Sequence, residues 1–501
     1  MDNPFKVSIV IFVALFFSFG VGVNLSTGAE QLSTDGIRLP DLGSPSDQYL
    51  TPNDEVRLGQ AFMQNILETQ AVVTDPLISE YIQNLGNRLL KHSEAAGHPY
   101  HFFVIEEPVI NAFAGPGGHI GIFSGLILAT QSESELASVI AHEIAHVTQK
   151  HLLRAFDEAN KMSGKTAALI LAAILVGMTT SSPDAGIAMA TGVQASAIQQ
   201  QINFTRSNEQ EADNVGIRIL ADADFDPRAM PVFFERLTHA NRLFDSGIPE
   251  ILRTHPVTTN RIADALGRAE EYSYKQYAGS LEYFLIRESL RVRQFKNPES
   301  AVKHYKSGLT EGRYLNKEAY QYGYALALAA NHEYFKAHKL ISDLLQQRPA
   351  QIDYILADAE IAKQMGDQAK ALESLATAYM LMPDSYPLAV TYTEYLLEAG
   401  KAQEAKKVAS RMRNLRPNDA WLFRLLGKAE EALGNTAESH RLLAEAYVAN
   451  GQLEAAVQQL LIASKSDDKS DFYLSSQIES RLHELERAVA ERKKEKRNSE
   501  Q

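Results

Sequence analysis

Glu133-Ser-Glu-Leu-Ala-Ser-Val-Ile-Ala-His-Glu-Ile-Ala-His-Val-Thr-Gln-Lys-His151 is the stretch from which the rest of the 501-residue chain can be read. Leu136, Val139, Ile140, Ile144 and Val147 recur at steps of three and four, the apolar stripe of a helix packed on one side. His142 and His146 lie four apart, so they project from one face, a turn from each other. Two imidazoles at that spacing suit a tetrahedral Zn²⁺, and Glu143 between them can reach a water on the metal as general base, the HExxH pattern. The competing reading is two half-buried histidines on an ordinary amphipathic helix.

Composition narrows the chemistry. With no cysteine in the chain, a disulfide, a thiolate zinc site and a cysteine nucleophile are excluded, and any metal must be held by His, Asp or Glu. A net charge of −13 argues against nucleic acid as the main partner, because neutralising phosphates needs a basic face. Val7 to Val23 is an uncharged apolar run after Lys6, followed by the polar, small-residue stretch Asn24 to Ala29. Residues 1-29 therefore read as a signal peptide cleaved near Ala29, with export to a bacterial periplasm. The run is also close to the lower limit for a bilayer span, so an uncleaved N-terminal membrane anchor is the alternative. Residues 30-55, with Pro40, Gly43 and Pro45, read as an extended leader.

Glu55 to Ile66 and Leu77 to Leu90 have helical spacing, and His101 to Ile105 is a short apolar strand. The Gly-Pro-Gly-Gly turn at 115 to 118 punctuates two strand-like pieces between Ile110 and Ile127, a hairpin or bulged strand. Its edge could take an extended peptide by β-augmentation; the alternative is an interior hairpin with both edges paired. Thr166 to Val176 is apolar and Ala185 to Ala197 is rich in small residues, a buried helical pair or else an exposed flap making peripheral membrane contact. A third ligand should be an acid on a second helix. Ser207, with Gln210 three residues on, reads as a capping-box helix start, placing Glu209 in the first turn and Asp213 one turn later on the same face. Glu209 is the expected third ligand, and Asp213 the acceptor for the free ring nitrogen of a ligating histidine. Against this stands the dipole, which favours acids in any first helical turn without a metal. Glu211 is the nearest competitor.

Asn111-Ala-Phe-Ala-x-Pro-Gly-Gly118, His142-Glu-Ile-Ala-His146 and Arg206-Ser-Asn-Glu209-x-x-Ala-Asp213 together resemble the HExxH metallopeptidases that include the CAAX prenyl proteases and the heat-shock membrane protease HtpX. The family's Glu-x-x-Ala-Asp motif supports Glu209 over Glu211, while Ser207 after Arg206 departs from the family's usual Ser-Arg pair. Thr254-His-Pro256 followed by Arg261-Ile262 matches a soluble branch bearing tetratricopeptide (TPR) repeats. In that branch the equivalent of His255 sits on a loop over the active site and can complete the zinc shell as a fourth ligand or latch. Rival roles for His255 are a hydrogen-bond donor to the tetrahedral intermediate and a plain loop residue before the helix that Pro256 starts. The resemblance implies a zincin-type zinc metalloendopeptidase at 56-275 that cuts misassembled outer-membrane proteins, with chaperone-like assistance, and repeats that meet the β-barrel assembly machinery. The alternative is an assembly or binding factor with a latched, largely inactive zinc site.

The second half supplies the repeats independently. Pro349, Pro383 and Pro417 recur at 34-residue steps, as do Gly366, Gly400 and Gly434, and Ala337, Ala371 and Ala405. That period, with small residues where paired helices touch, is the tetratricopeptide signature, so 280-490 should be a TPR α-solenoid with a concave partner-binding surface. A degenerate copy opens near Ser280, the phase shifts beyond Gly434, and a charged tail occupies 491-501. Tyr320, Tyr322 and Tyr324 cannot all share one helix face, which leaves at least one as a candidate surface contact, with a core place the equal alternative for any of them. The fold class expected is α+β, mainly α.

Overall fold

The computed structural model describes residues 52–95, 100–154, 195–243, 249–277, 279–466 and 472–499. The signal-peptide expectation, residues 30–51 of the leader and almost all of 166–197 lie outside the described residues; the last four residues of the expected leader, 52–55, are not extended but open the first helix, where Pro52 can occupy the first turn. Among those described, no helix is long and apolar enough to cross a membrane.

The first half opens with α1 (Pro52–Thr69) and α2 (Pro76–Leu90). Asp75 caps α2 by accepting from the Leu77 and Ile78 amides, Pro76 occupies the first turn, and Ile78, Tyr81, Ile82, Leu85 and Leu89 form the buried stripe. A three-stranded sheet follows, in the order β1-β3-β2, built of β1 (His101–Ile105), β2 (Ala112–Ala114) and β3 (His119–Phe123). β2 and β3 form the antiparallel hairpin across the Gly115–Gly118 turn, and β1 lies parallel to β3 with His101 opposite His119. The short α3 (Ser124–Ala129) leads into α4 (Glu133–Thr148), which carries the HExxH residues.

α4 starts on a capping arrangement: Ser132 accepts from the Glu135 amide, while the Glu135 carboxylate accepts from the Gln131 amide. The one-sided apolar stripe understates its burial. Every residue from Glu135 to Ala145 is buried, because the sheet, α2, α5 (Ala195–Asp222) and α6 (Ala229–Leu243) surround it. α7 (Glu250–Thr254) and α8 (Thr259–Glu270) complete this half.

Cross-strand stacking in the sheet has a pH cost. The His101 and His119 rings lie 5.2 Å apart and 19° from parallel. Burial, and then the neighbouring His101, push His119 down from 6.5 to about 4. The folded chain therefore prefers the neutral ring, so this stability is complete above pH 6.5 and is lost as pH falls towards 4. Urea denaturation at pH 7 and pH 5 should show wild type losing about 2 kcal/mol more than His119→Gln over that interval. Equal losses would mean that the ring is solvated.

The second half is a run of paired helices: α9 (Leu281–Gln294), α10 (Pro298–Glu311), α11 (Lys317–Ala330), α12 (Tyr334–Gln347), α13 (Ile352–Gln364), α14 (Gln368–Leu381), α15 (Tyr386–Glu398), α16 (Ala402–Leu415), α17 (Ala420–Ala432), α18 (Thr436–Ala449), α19 (Leu453–Lys465) and α20 (Phe472–Ser499). Gly366, Gly400 and Gly434 each take a left-handed φ between paired helices, at 85°, 73° and 84°, and open space surrounds the position of a Cβ. Backbone angle alone, not crowding, demands glycine there. His332, one repeat earlier, adopts φ 61° at the equivalent position, which is why the glycine signal is missing from that copy. α18 packs on both α17 and α19, which accounts for the phase shift. No tyrosine of the 320–324 group stands free on the surface: Tyr320 and Tyr322 are buried, and Tyr324 is half-buried against the core.

α9 belongs to both halves. Tyr283, Ile286 and Leu290 enter the peptidase-half core, while Leu285 enters the first repeat core. Arg287 donates to the Thr130 and Leu128 carbonyls at 3.2 and 3.0 Å.

Candidate metal centre

Glu209 and Asp213 reach the centre from α5, and here one local reading fails. Ser207 does not start a helix, because α5 runs unbroken from Ala195 to Asp222 and Ser207 lies exposed in its interior. The Ser-x-x-Gln pattern is tolerated on a solvated helix face as well as at a start. A position so far from the N-terminus gains little from the helix dipole, so the dipole does not explain Glu209 either. α5 passes close to α4 at Gly216, where a Cβ would stand 3.3 Å from the His142 amide nitrogen. That approach puts Glu209 and Asp213 opposite the two histidines.

His142, His146, Glu209 and His255 offer one ligand atom each within 4.8 Å of one another. His142 Nε2 lies 3.0 Å from His146 Nε2 and 3.4 Å from Glu209 Oε2, and His146 Nε2 lies 3.4 Å from Glu209 Oε1. His255, just past α7, brings Nδ1 to 3.1 Å from Glu209 Oε1 and 3.4 Å from His142 Nε2. Donors about 2.0–2.1 Å from a tetrahedral Zn²⁺ stand roughly 3.3 Å apart, the spacing seen here. Glu143 is 1% exposed, and its Oε1, 3.5 Å from His255 Nε2, has no hydrogen-bond partner. Glu143, Glu209 and Asp213 are buried beside one permanently charged residue among those described, Arg261, so two negative charges are left for protons on His142 and His255, or for a metal, to balance. A divalent cation would take the place of those protons, and buried charge without a partner is costly.

Partners behind the centre fix its side chains. His142 Nδ1 faces Asp213 Oδ1 at 3.0 Å. Arg261 grips Asp213 through Nε and Nη2 at 2.7 and 2.8 Å, and its Nη1 reaches Glu209 Oε2 at 2.9 Å and the Pro256 carbonyl at 2.8 Å. Burial pushes the Glu209 carboxyl up, but the His255 charge and the bonds from His142, His146 and His255 outweigh it and hold it well below the usual carboxylate range. Glu211 points away from the centre to His151 and Arg154. Arg206 is exposed.

Sequence reading missed two residues. Arg261 is buried at the centre; its only signal was the Arg-Ile pair that follows Thr254-His-Pro256. His151 is buried against His146, with Nδ1 to Nδ1 at 2.8 Å, and its only signal was a third histidine five residues beyond the motif.

Fold and cluster define a metallopeptidase joined to a tetratricopeptide array. Residues 76–269 match peptidase family M48. A putative beta-barrel assembly-enhancing protease from Vibrio cholerae is 37% identical over 432 residues, 86% of this chain and 89% of its own. The beta-barrel assembly-enhancing protease of Escherichia coli is 33% identical over 447 residues, 89% of this chain and 91% of that one. The mitochondrial metalloendopeptidase OMA1 of Arabidopsis thaliana is 33% identical over 217 residues, 43% of this chain and 41% of its own. The chain belongs to peptidase family M48, among the beta-barrel assembly-enhancing proteases. It is a metalloendopeptidase, and membership of the family implies a bound metal.

Proposed function

We propose that the chain is a periplasmic zinc metalloendopeptidase that cuts misassembled outer-membrane proteins, with the repeats binding the β-barrel assembly machinery. The convergence of His142, His146 and Glu209 beside Glu143, whose Oε1 accepts no hydrogen bond, carries this reading. Two imidazoles and a carboxylate favour zinc over magnesium or calcium, which prefer all-oxygen shells. His142, His146 and Glu209 would hold the zinc, which would supply Lewis acidity to a water and to a peptide carbonyl.

The chain's own residues do the rest. Asp213 holds the His142 ring with Nε2 turned inward, and Arg261 holds Asp213 and Glu209. Glu143 takes the proton of the attacking water and returns it to the leaving nitrogen. β2 lies at the sheet edge beside α4, and among the described residues no strand pairs with its outer side. A substrate strand aligned there is read through its backbone and not through its side chains, which suits unfolded clients of many sequences. The relatives' names support a role in outer-membrane assembly. Export rests on the apolar N-terminal run.

His255 sits where a fourth ligand would close the centre, which favours a latched resting state. If about a tenth of the molecules stand open at rest, His255→Ala should raise kcat/KM on casein about tenfold. Metal analysis and casein cleavage test the whole proposal on the mature chain. Zinc with turnover supports it; zinc without turnover, in wild type and His255→Ala alike, favours an assembly factor with a latched site.

A further inference from the structure

We infer that His151 is a positioning residue for His146, the second member of a proton-ordered chain running His146–His151–Glu211–Arg154. This rests on the reading of His146 as a metal ligand. α4 ends at Thr148, and Lys150 then takes a left-handed φ of 54°, which turns the backbone so that His151 folds back beneath the motif. A non-glycine residue in that region costs about 1 kcal/mol or more and persists where its surroundings hold it. His151 is 4% exposed, and its ring meets that of His146 edge-on at 4.8 Å and 80°.

With His146 as a ligand through Nε2, the contacts admit one arrangement of protons. His146 Nε2 faces the centre, so as a ligand it presents a lone pair there and carries its proton on Nδ1. That proton points at His151 Nδ1, 2.8 Å away, which must then be the acceptor. His151 therefore carries its own proton on Nε2 and donates it to Glu211 Oε2 at 3.1 Å. Arg154 closes the chain by donating to Glu211 and to Asn208 Oδ1, tying it back to α5. The two motif histidines are thus backed differently: His142 by a charged carboxylate, His146 by a neutral imidazole that passes its demand to a carboxylate one step further out. Glu211 stays outside the centre and supports His146 through His151.

Metal affinity tests the chain without relying on turnover. Zinc dissociation constants are measured by competition with a chromogenic chelator, on the full mature chain. His151→Phe, which fills the space but accepts no proton, should weaken zinc about 10–100-fold. His151→Gln, whose side-chain oxygen can accept from His146, should recover most of that loss. Glu211→Gln, at the half-exposed end, gives a second reading if His151→Phe does not fold, and should weaken zinc a few-fold. Wild-type affinity in His151→Phe or in Glu211→Gln overturns the chain, and so does an equal loss in His151→Phe and His151→Gln. Failure of wild type to bind zinc, or binding that His142→Ala leaves intact, overturns the metal-centre reading instead.

Discussion

Glu143→Gln is expected to keep its zinc and its fold while casein cleavage falls by about 10²–10⁴-fold, the range that general acid–base catalysis supplies. The amide matches the carboxylate in size, so a side chain 1% exposed is replaced without a cavity. What disappears is the ability to accept a proton at the one buried carboxylate oxygen of the centre that has no hydrogen-bond partner. Metal content and initial rates measured on the same preparation separate the two effects. A zinc-loaded variant cutting within tenfold of wild type would remove Glu143 from the mechanism. Loss of zinc together with activity would make it a structural residue.

Arg261→Met should destabilise the metal-free protein by about 3–5 kcal/mol, the cost of stranding a buried charge. Arg261 is 3% exposed, and its guanidinium serves Asp213, Glu209 and the Pro256 carbonyl at once. Its Cζ also lies 5.2 Å from the centre of the Phe234 ring. Lysine keeps the charge but cannot reproduce the fork, so Arg261→Lys should recover only a minor part of the loss. Urea denaturation checks both variants. A loss below about 1 kcal/mol would mean that water reaches the two carboxylates, as it does in exposed pairs.

Where periodicity and chemistry coincided, the sequence was legible. The α4 pattern placed His142, Glu143 and His146 together because helix geometry alone fixes residues four apart. The 34-residue period announced the repeats because three successive copies use the same left-handed glycine between their helices, at Gly366, Gly400 and Gly434. Glu209, which the structure places in the cluster, was reached by a faulty local route, a helix start at Ser207 that lies inside α5, and was favoured over Glu211 by the Glu-x-x-Ala-Asp resemblance. Arg261 and His151 were not legible, since their roles depend on side chains meeting across α5, α8 and the turn after α4. No spacing rule reports such a meeting. The tyrosines of α11 stayed open between surface and core for a related reason: neighbouring helices cover more than one face, so a residue off the main stripe can still be buried.

α9 gives the molecule a mechanical character. One helix has a flank in each hydrophobic core, and Arg287 fastens it to the carbonyls just upstream of Ser132, where the motif helix begins. Melting the first repeat therefore uncovers apolar surface of the peptidase half, so the peptidase half and that repeat should open together as one local unit. A load applied to the repeats is borne directly at the root of α4.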